Sequence, residues 1–81
     1  MKPEDIKQFK DRRPFVPFRI FLNDGRTADI PHPDYLFLSA PVIAIAARMD
    51  PRTKIALETF IVGPQNITRL EYLEPLPEKN Q

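Results

Sequence analysis

The stretch RRPFVPFRIFLNDGRTADIPHPDYLFLS, residues 12–39, carries most of the signals that decide the fold. Within it, FRIFL (18–22) alternates core-type and other side chains, which is typical of a half-buried strand. The following NDG (23–25) indicates a tight hairpin turn, because glycine readily adopts the positive φ that such turns need. RTADI returns as a second strand, and Pro31 and Pro33 cannot donate hydrogen bonds to a ladder. The stretch therefore predicts an antiparallel hairpin whose second strand ends or bends at these prolines.

A short helix is predicted before the hairpin, over residues 3–13. Pro3 suits the first helical position, where its missing N–H is not needed. Acidic residues lie in the first turn and basic residues in the last, which suits the helix dipole. Pro14 ends the helix, because the residue before a proline disfavours helical angles.

The second half of the chain reads as further short strands separated by turns. The predicted strands are YLFLS (35–39), VIAIAARM (42–49), KIALETFIV (54–62) and ITRLEYL (67–73). Tight turns and even spacing favour a small barrel-like β architecture. The chain therefore reads as a helix followed by five or six short antiparallel strands. We predict a mainly β fold over residues 1–74, in which a short N-terminal helix precedes a strongly bent five-stranded antiparallel sheet. The proline- and charge-rich segment 75–81 is predicted to be a disordered tail.

Length and composition favour self-association. A chain of 81 residues makes one domain with a thin margin of stability, and such domains often rely on disulfides, metals or partner subunits. With no cysteine and one histidine, disulfides and zinc sites are unavailable. That leaves an unusually complete small core or a partner copy as the source of stability, and we expect a partner copy. The first 26 residues hold seven of the 12 Lys and Arg residues and only four of the 11 acids, which hints at one basic face.

The sequence predicts no enzyme, no metal and no cofactor. Ser39 lacks the neighbours of a nucleophile elbow, and two glycines cannot build a phosphate-binding loop. His32 between two prolines reads as a loop residue, and Asp34 as a turn residue bonded to nearby backbone. With no apolar leader and no run of about 20 apolar residues, we expect a cytoplasmic protein without a membrane segment.

Two segments resemble the Sm-like (LSm) family. RRPFVPFRIFLNDGR after a short basic-ended helix is similar to the start of the bacterial Sm-like RNA chaperones of the Hfq type. FIVGPQNITRLEYL resembles the second Sm motif, in which a glycine turn precedes Asn66, Ile67 and Leu70. The elements Arg-Pro-Phe-x-Pro-Phe, Asp-Gly-Arg and His-Pro-Asp also resemble a set of short bacterial proteins with no assigned function.

The Sm-like resemblance implies a ring, in which the fourth strand of one subunit pairs with the fifth strand of the next. It implies rim arginines that touch RNA phosphates at Arg12 and Arg13, and a base-stacking aromatic at Phe21. The residues that this pairing predicts at the interface are Ile55, Leu57, Phe60, Ile67, Leu70 and Tyr72. The family's Lys-His pair is replaced by PQN (64–66), and the uridine-gripping asparagine has no counterpart in DYLFLS (34–39).

Simpler interpretations of the same residues stay open. Arg12 and Arg13 could cap the helix C-terminus instead of binding phosphate, and Phe21 could pack under the helix against Ile6 and Phe9. Two functions remain: a non-catalytic RNA-binding ring, or a protein-interaction module of the same fold without nucleic-acid binding. RNA and further copies of this chain are the candidate partners, and fold alone does not choose between the two functions.

Overall fold

The computed structural model describes residues 1–77 and has one α-helix and six β-strands. The elements are α1 (Pro3–Asp11), β1 (Phe18–Leu22), β2 (Thr27–Ile30), β3 (Leu36–Leu38), β4 (Ile43–Met49), β5 (Ala56–Val62) and β6 (Ile67–Tyr72). The helix is two residues shorter than predicted, because the backbone of Arg12 is already extended at φ −58° and ψ 136°. The peptide bond between Arg13 and Pro14 is cis.

The strands form two three-stranded antiparallel sheets. The first sheet has the order β2-β1-β6, and the second has the order β3-β4-β5. The mainly β fold with a short N-terminal helix is as predicted, but the single five-stranded barrel is wrong. Over residues 1–77 there are six strands, and the two sheets do not close into a barrel.

The prolines explain the extra strand. Pro31 and Pro33 remove two backbone donors where a continuous strand would need them, and a short 3-10 turn, Pro33–Tyr35, separates β2 from β3. His32 stabilises this turn, because its Nδ1 accepts a hydrogen bond of 3.2 Å from the Asp34 backbone N–H. His32 was predicted to be a loop residue and Asp34 a turn residue bonded to nearby backbone. In the structure one hydrogen bond joins the two residues, and its acceptor is the imidazole of His32 instead of the Asp34 carboxylate.

The predicted hairpin turn joins β1 and β2. Gly25 has φ +93° and donates its N–H to the Leu22 carbonyl at 3.0 Å. Asp24 closes the turn on the other side, since its carboxylate accepts from both the backbone N–H and the Nε of Arg26. These hydrogen bonds with Arg26 hold the pKa of the Asp24 carboxyl below its usual value.

The core lies between the two sheets and under α1. Each strand of the first hairpin alternates buried and more exposed residues, so one face of each sheet points inward. The residues with the largest fully buried side chains are Phe18, Ile6, Ile20, Ile30, Ile43, Ile45 and Ile67. The helix contributes through Ile6 and through Phe9, whose ring lies edge-on to Phe18 at 5.2 Å and stacks on Tyr72 at 4.5 Å.

The chain leaves the first sheet at Leu73, whose N–H donates to the Pro17 carbonyl at 2.9 Å. The part of the predicted tail from residue 78 to 81 lies outside the described residues. Within residues 1–77, no helix has the length and apolar character needed to cross a membrane.

Candidate functional site

The outer edge of β5 carries unpaired backbone groups. The pairing of β3 with β4 shows in which direction the backbone groups of β4 and β5 point. The Ser39 N–H donates to the Val42 carbonyl. Because hydrogen-bonded and non-hydrogen-bonded pairs alternate along an antiparallel ladder, Phe37 and Ala44 are the next hydrogen-bonded pair. The backbone groups of Ile45, one residue along β4, then point to Phe60 of β5.

The neighbours of Phe60 must point the other way. The N–H and C=O groups of Thr59 and Ile61 are therefore directed away from β4, toward the side where the second sheet has no further strand within residues 1–77. Open groups of this kind are a template on which another strand can pair. The free edge of β5 is thus competent for strand addition.

The outer face of the second sheet is apolar. The register places Phe37, Ala44 and Ile61 in one row across its three strands, and Ala46 and Thr59 in the next. Phe37 is 67% exposed and Ile61 is 63% exposed, although neither has a charged neighbour in these two rows. We call the residues Phe37, Ala44, Ala46, Thr59 and Ile61 the outer face.

The predicted interface residues separate into two groups. Ile55 and Leu57 are strongly exposed beside the free edge of β5. The other four contribute to the core instead: Phe60, Leu70 and Tyr72 pack against it, and Ile67 is 2% exposed. That these four residues lie at an interface stays a prediction. Because their side chains pack in the core, they would contact another copy mainly through their backbone.

Arg13 is placed at the C-terminal end of α1. Its guanidinium donates hydrogen bonds to the carbonyls of Lys10 at 3.0 Å and Arg12 at 2.8 Å. Cations and donors at this position satisfy carbonyls that the helix leaves open. Arg12 is half-buried, and its Nε is buried without a hydrogen-bond partner in the described part of the chain. The two predicted rim arginines therefore have different surroundings, and Arg13 is the more exposed.

Phe21 lies on the side of the first sheet that is turned away from the core and from the helix. The Arg69 guanidinium covers its ring at 3.7 Å from the centroid, which is a close cation–π distance. The alternation of β1 puts Phe18 inward and Phe21 outward, so Phe18 occupies the place beneath the helix that Phe21 could have taken.

Ion pairs flank the stack of Phe21 and Arg69. Arg19 donates two hydrogen bonds to Asp29, of 2.6 and 3.1 Å, across the β1–β2 ladder. This contact lowers the pKa of the Asp29 carboxyl and raises the pKa of Arg19. Arg69 also binds Glu71 at 2.7 Å. Because each cation has an acid beside it, this surface has little excess positive charge to attract phosphate.

A groove between α1 and β3 was not predicted from the sequence. It has a volume of about 490 Å³, within the range of roughly 300–1,000 Å³ that is common for ligand sites. Its walls come from residues 3–11 and 36–40, which are far apart in the chain. No local motif could have indicated it, because the groove exists only once the helix lies beside the strand.

The described residues hold no group of three or more His, Cys, Asp or Glu side chains placed to bind a metal ion. Comparisons of the chain with protein-family models, with curated proteins and with solved structures found no match. The candidate sites therefore rest on geometry alone, and the free edge of β5 is the most complete of them.

Proposed function

We propose that this chain is a non-catalytic interaction module whose copies join through the free edge of β5. The observation that carries the proposal is the pair of outward-directed backbone groups at Thr59 and Ile61 beside exposed apolar side chains. Natural edge strands are usually blocked by a lysine, a proline or a covering loop. Glu58 is the only charged residue within Ala56–Val62, so little in that segment opposes pairing.

The strand order supports β6 of another copy as the partner of β5. When β2 and β3 are taken as two halves of one strand broken at Pro31–Pro33, the strands follow the order β6-β1-β2/β3-β4-β5. The two ends of that order are β5 and β6, as in the Sm-like arrangement that the sequence resembles. A contact between two different edges is head-to-tail, and such contacts generate rings when the rotation closes.

RNA binding by the same ring is the second candidate function. Two observations favour it: the exposed Arg13 guanidinium, and the stack of Arg69 on Phe21, which is a surface on which a base could stack. The paired acids Asp29 and Glu71 weigh against strong phosphate binding at that stack. The protein-interaction function therefore comes first, with RNA as an additional partner.

The mass of the purified protein in solution tests the first proposal. Size exclusion with light scattering should give a discrete multiple of the 9.4 kDa subunit. A mass of one subunit at about 100 μM, a concentration at which even micromolar association is visible, would refute self-association. The ratio of absorbance at 260 and 280 nm on the same peak reports co-purifying nucleic acid.

A double substitution tests the RNA function separately. Arg12→Ala with Arg13→Ala should abolish retention of RNA on a filter and leave the oligomer mass unchanged. Unchanged retention would overturn the role of these arginines. A matched double variant, Arg48→Ala with Arg52→Ala, removes the same charge from the second sheet and its turn, and it controls for a general effect of charge.

A further inference from the structure

One wall of the groove between α1 and β3 is the free edge of a strand. Among the strands of residues 1–77, β3 is terminal in the second sheet and pairs with β4 alone. Since Phe37 shares its ladder hydrogen bonds with Ala44, the N–H and C=O of Leu38 point away from β4. The Leu36 N–H is used within the 3-10 turn, where it donates to the Pro33 carbonyl.

These open groups face the groove. Leu36 and Leu38 are among its lining residues, and α1 forms the opposite wall. None of the hydrogen bonds between separate backbone segments in residues 1–77 uses the Leu38 N–H or C=O. A strand edge facing a helix across a groove is a geometry in which an extended peptide adds to a sheet.

The wall of the groove that α1 forms carries charged side chains, and most of them already have a partner. Lys10, near the start of β3, donates to the Pro33 carbonyl at 3.1 Å. Lys7 forms an ion pair with Asp11, so these two charges offset each other. Glu4 also lines the groove, but it takes part in none of the ion pairs of residues 1–77. Its carboxylate is therefore available to a cation on an occupant.

We infer that this groove binds a short extended peptide segment of a partner protein by strand addition to β3. The segment pairs with the Leu38 N–H and C=O, carries β-branched side chains that favour an extended strand, and places a Lys or Arg beside Glu4. The inference does not depend on the free edge of β5, which lies at the other side of the second sheet.

The probe is the acetylated and amidated hexapeptide Lys-Val-Ser-Val-Ser-Val, added to the ¹⁵N-labelled full chain while amide NMR signals are followed. We expect saturable shifts of the amides of residues 36–40 and of α1, at peptide concentrations up to about 1 mM. No saturable shift there, or saturable shifts confined to β5, would overturn the inference.

Leu38→Pro removes the groove-facing donor without removing a hydrogen bond to β4, because an edge strand tolerates proline where its N–H points outward. Leu38→Ala is the matched control, since it truncates the same side chain but keeps the donor. We expect affinity for the probe to fall by about fivefold to tenfold more in Leu38→Pro than in Leu38→Ala. Equal affinities of the two folded variants would show that the strand edge is not used.

A charge exchange tests the contact with Glu4. The peptide Glu-Val-Ser-Val-Ser-Val should bind the wild-type chain more weakly than the lysine peptide, and Glu4→Lys should reverse that order. An unchanged order would remove Glu4 from the site. If Leu38→Pro does not fold, as judged by its amide spectrum, the comparison of Glu4→Lys with the wild type decides the inference alone.

Discussion

Thr59→Pro should disrupt assembly while leaving the single chain folded. The ladder geometry directs the Thr59 N–H away from β4, so the proline removes no hydrogen bond of the second sheet. In an assembly it removes one hydrogen bond and leaves the carbonyl of the partner strand without a donor. That combination costs about 1–3 kcal/mol at each interface, which weakens association by between about fivefold and about 150-fold.

The assay is light scattering over a dilution series, with circular dichroism to confirm folding. Thr59→Ala keeps the N–H and should assemble as the wild type does. Phe60→Pro is the opposite control, because its N–H points to Ile45 and its loss should unfold the second sheet. A folded Thr59→Pro protein with the wild-type mass at every concentration would refute the assignment of this edge as the interface.

Three further outcomes follow from the core, the turn and the surface charges. Ile45→Ala should lower the free energy of unfolding by about 2–5 kcal/mol, because the Ile45 side chain is fully buried. Urea denaturation measures this change. A loss below that range would mean that the two sheets pack loosely around Ile45. Gly25→Ala should cost about 1 kcal/mol in the same assay, since alanine at φ +93° is strained, although open space surrounds the position. The hydrogen bonds from Arg19 lower the pKa of the Asp29 carboxyl below its ordinary value, so its contribution to stability is present above the ordinary pKa and is lost as the pH falls through the lower folded pKa. Asp29→Asn should accordingly reduce the acid dependence of stability, and an unchanged dependence would show that the contact with Arg19 adds nothing.

Most of the strands could be predicted because each carries its own local signal. FRIFL alternates over five residues, and the structure has a strand over those residues. The number of strands was less predictable, since two prolines can bend a strand or divide it. The outcome at Pro31 and Pro33 depends on the 3-10 turn and on the hydrogen bond that His32 accepts.

The surroundings of the candidate site residues were only partly predictable. Alternation with Phe18 assigns Phe21 to the other side of β1, yet its cover by Arg69 joins residues 48 positions apart in the chain. The exposure of Leu57 follows from the edge position of β5, which the alternating pattern of that strand does not reveal. The same pattern would suit a central strand with one covered face.

The sequence by itself determined the local elements of this protein: where the helix begins, where glycine allows a turn, and which residues alternate along each strand. These properties depend on backbone preferences and on neighbours within a few positions. Tertiary structure alone decided which strands became edges, that Arg69 covers the ring of Phe21, and that α1 and β3 enclose a groove. Those features depend on hydrogen bonds and packing between distant segments, and no local pattern encodes which backbone groups remain unpaired.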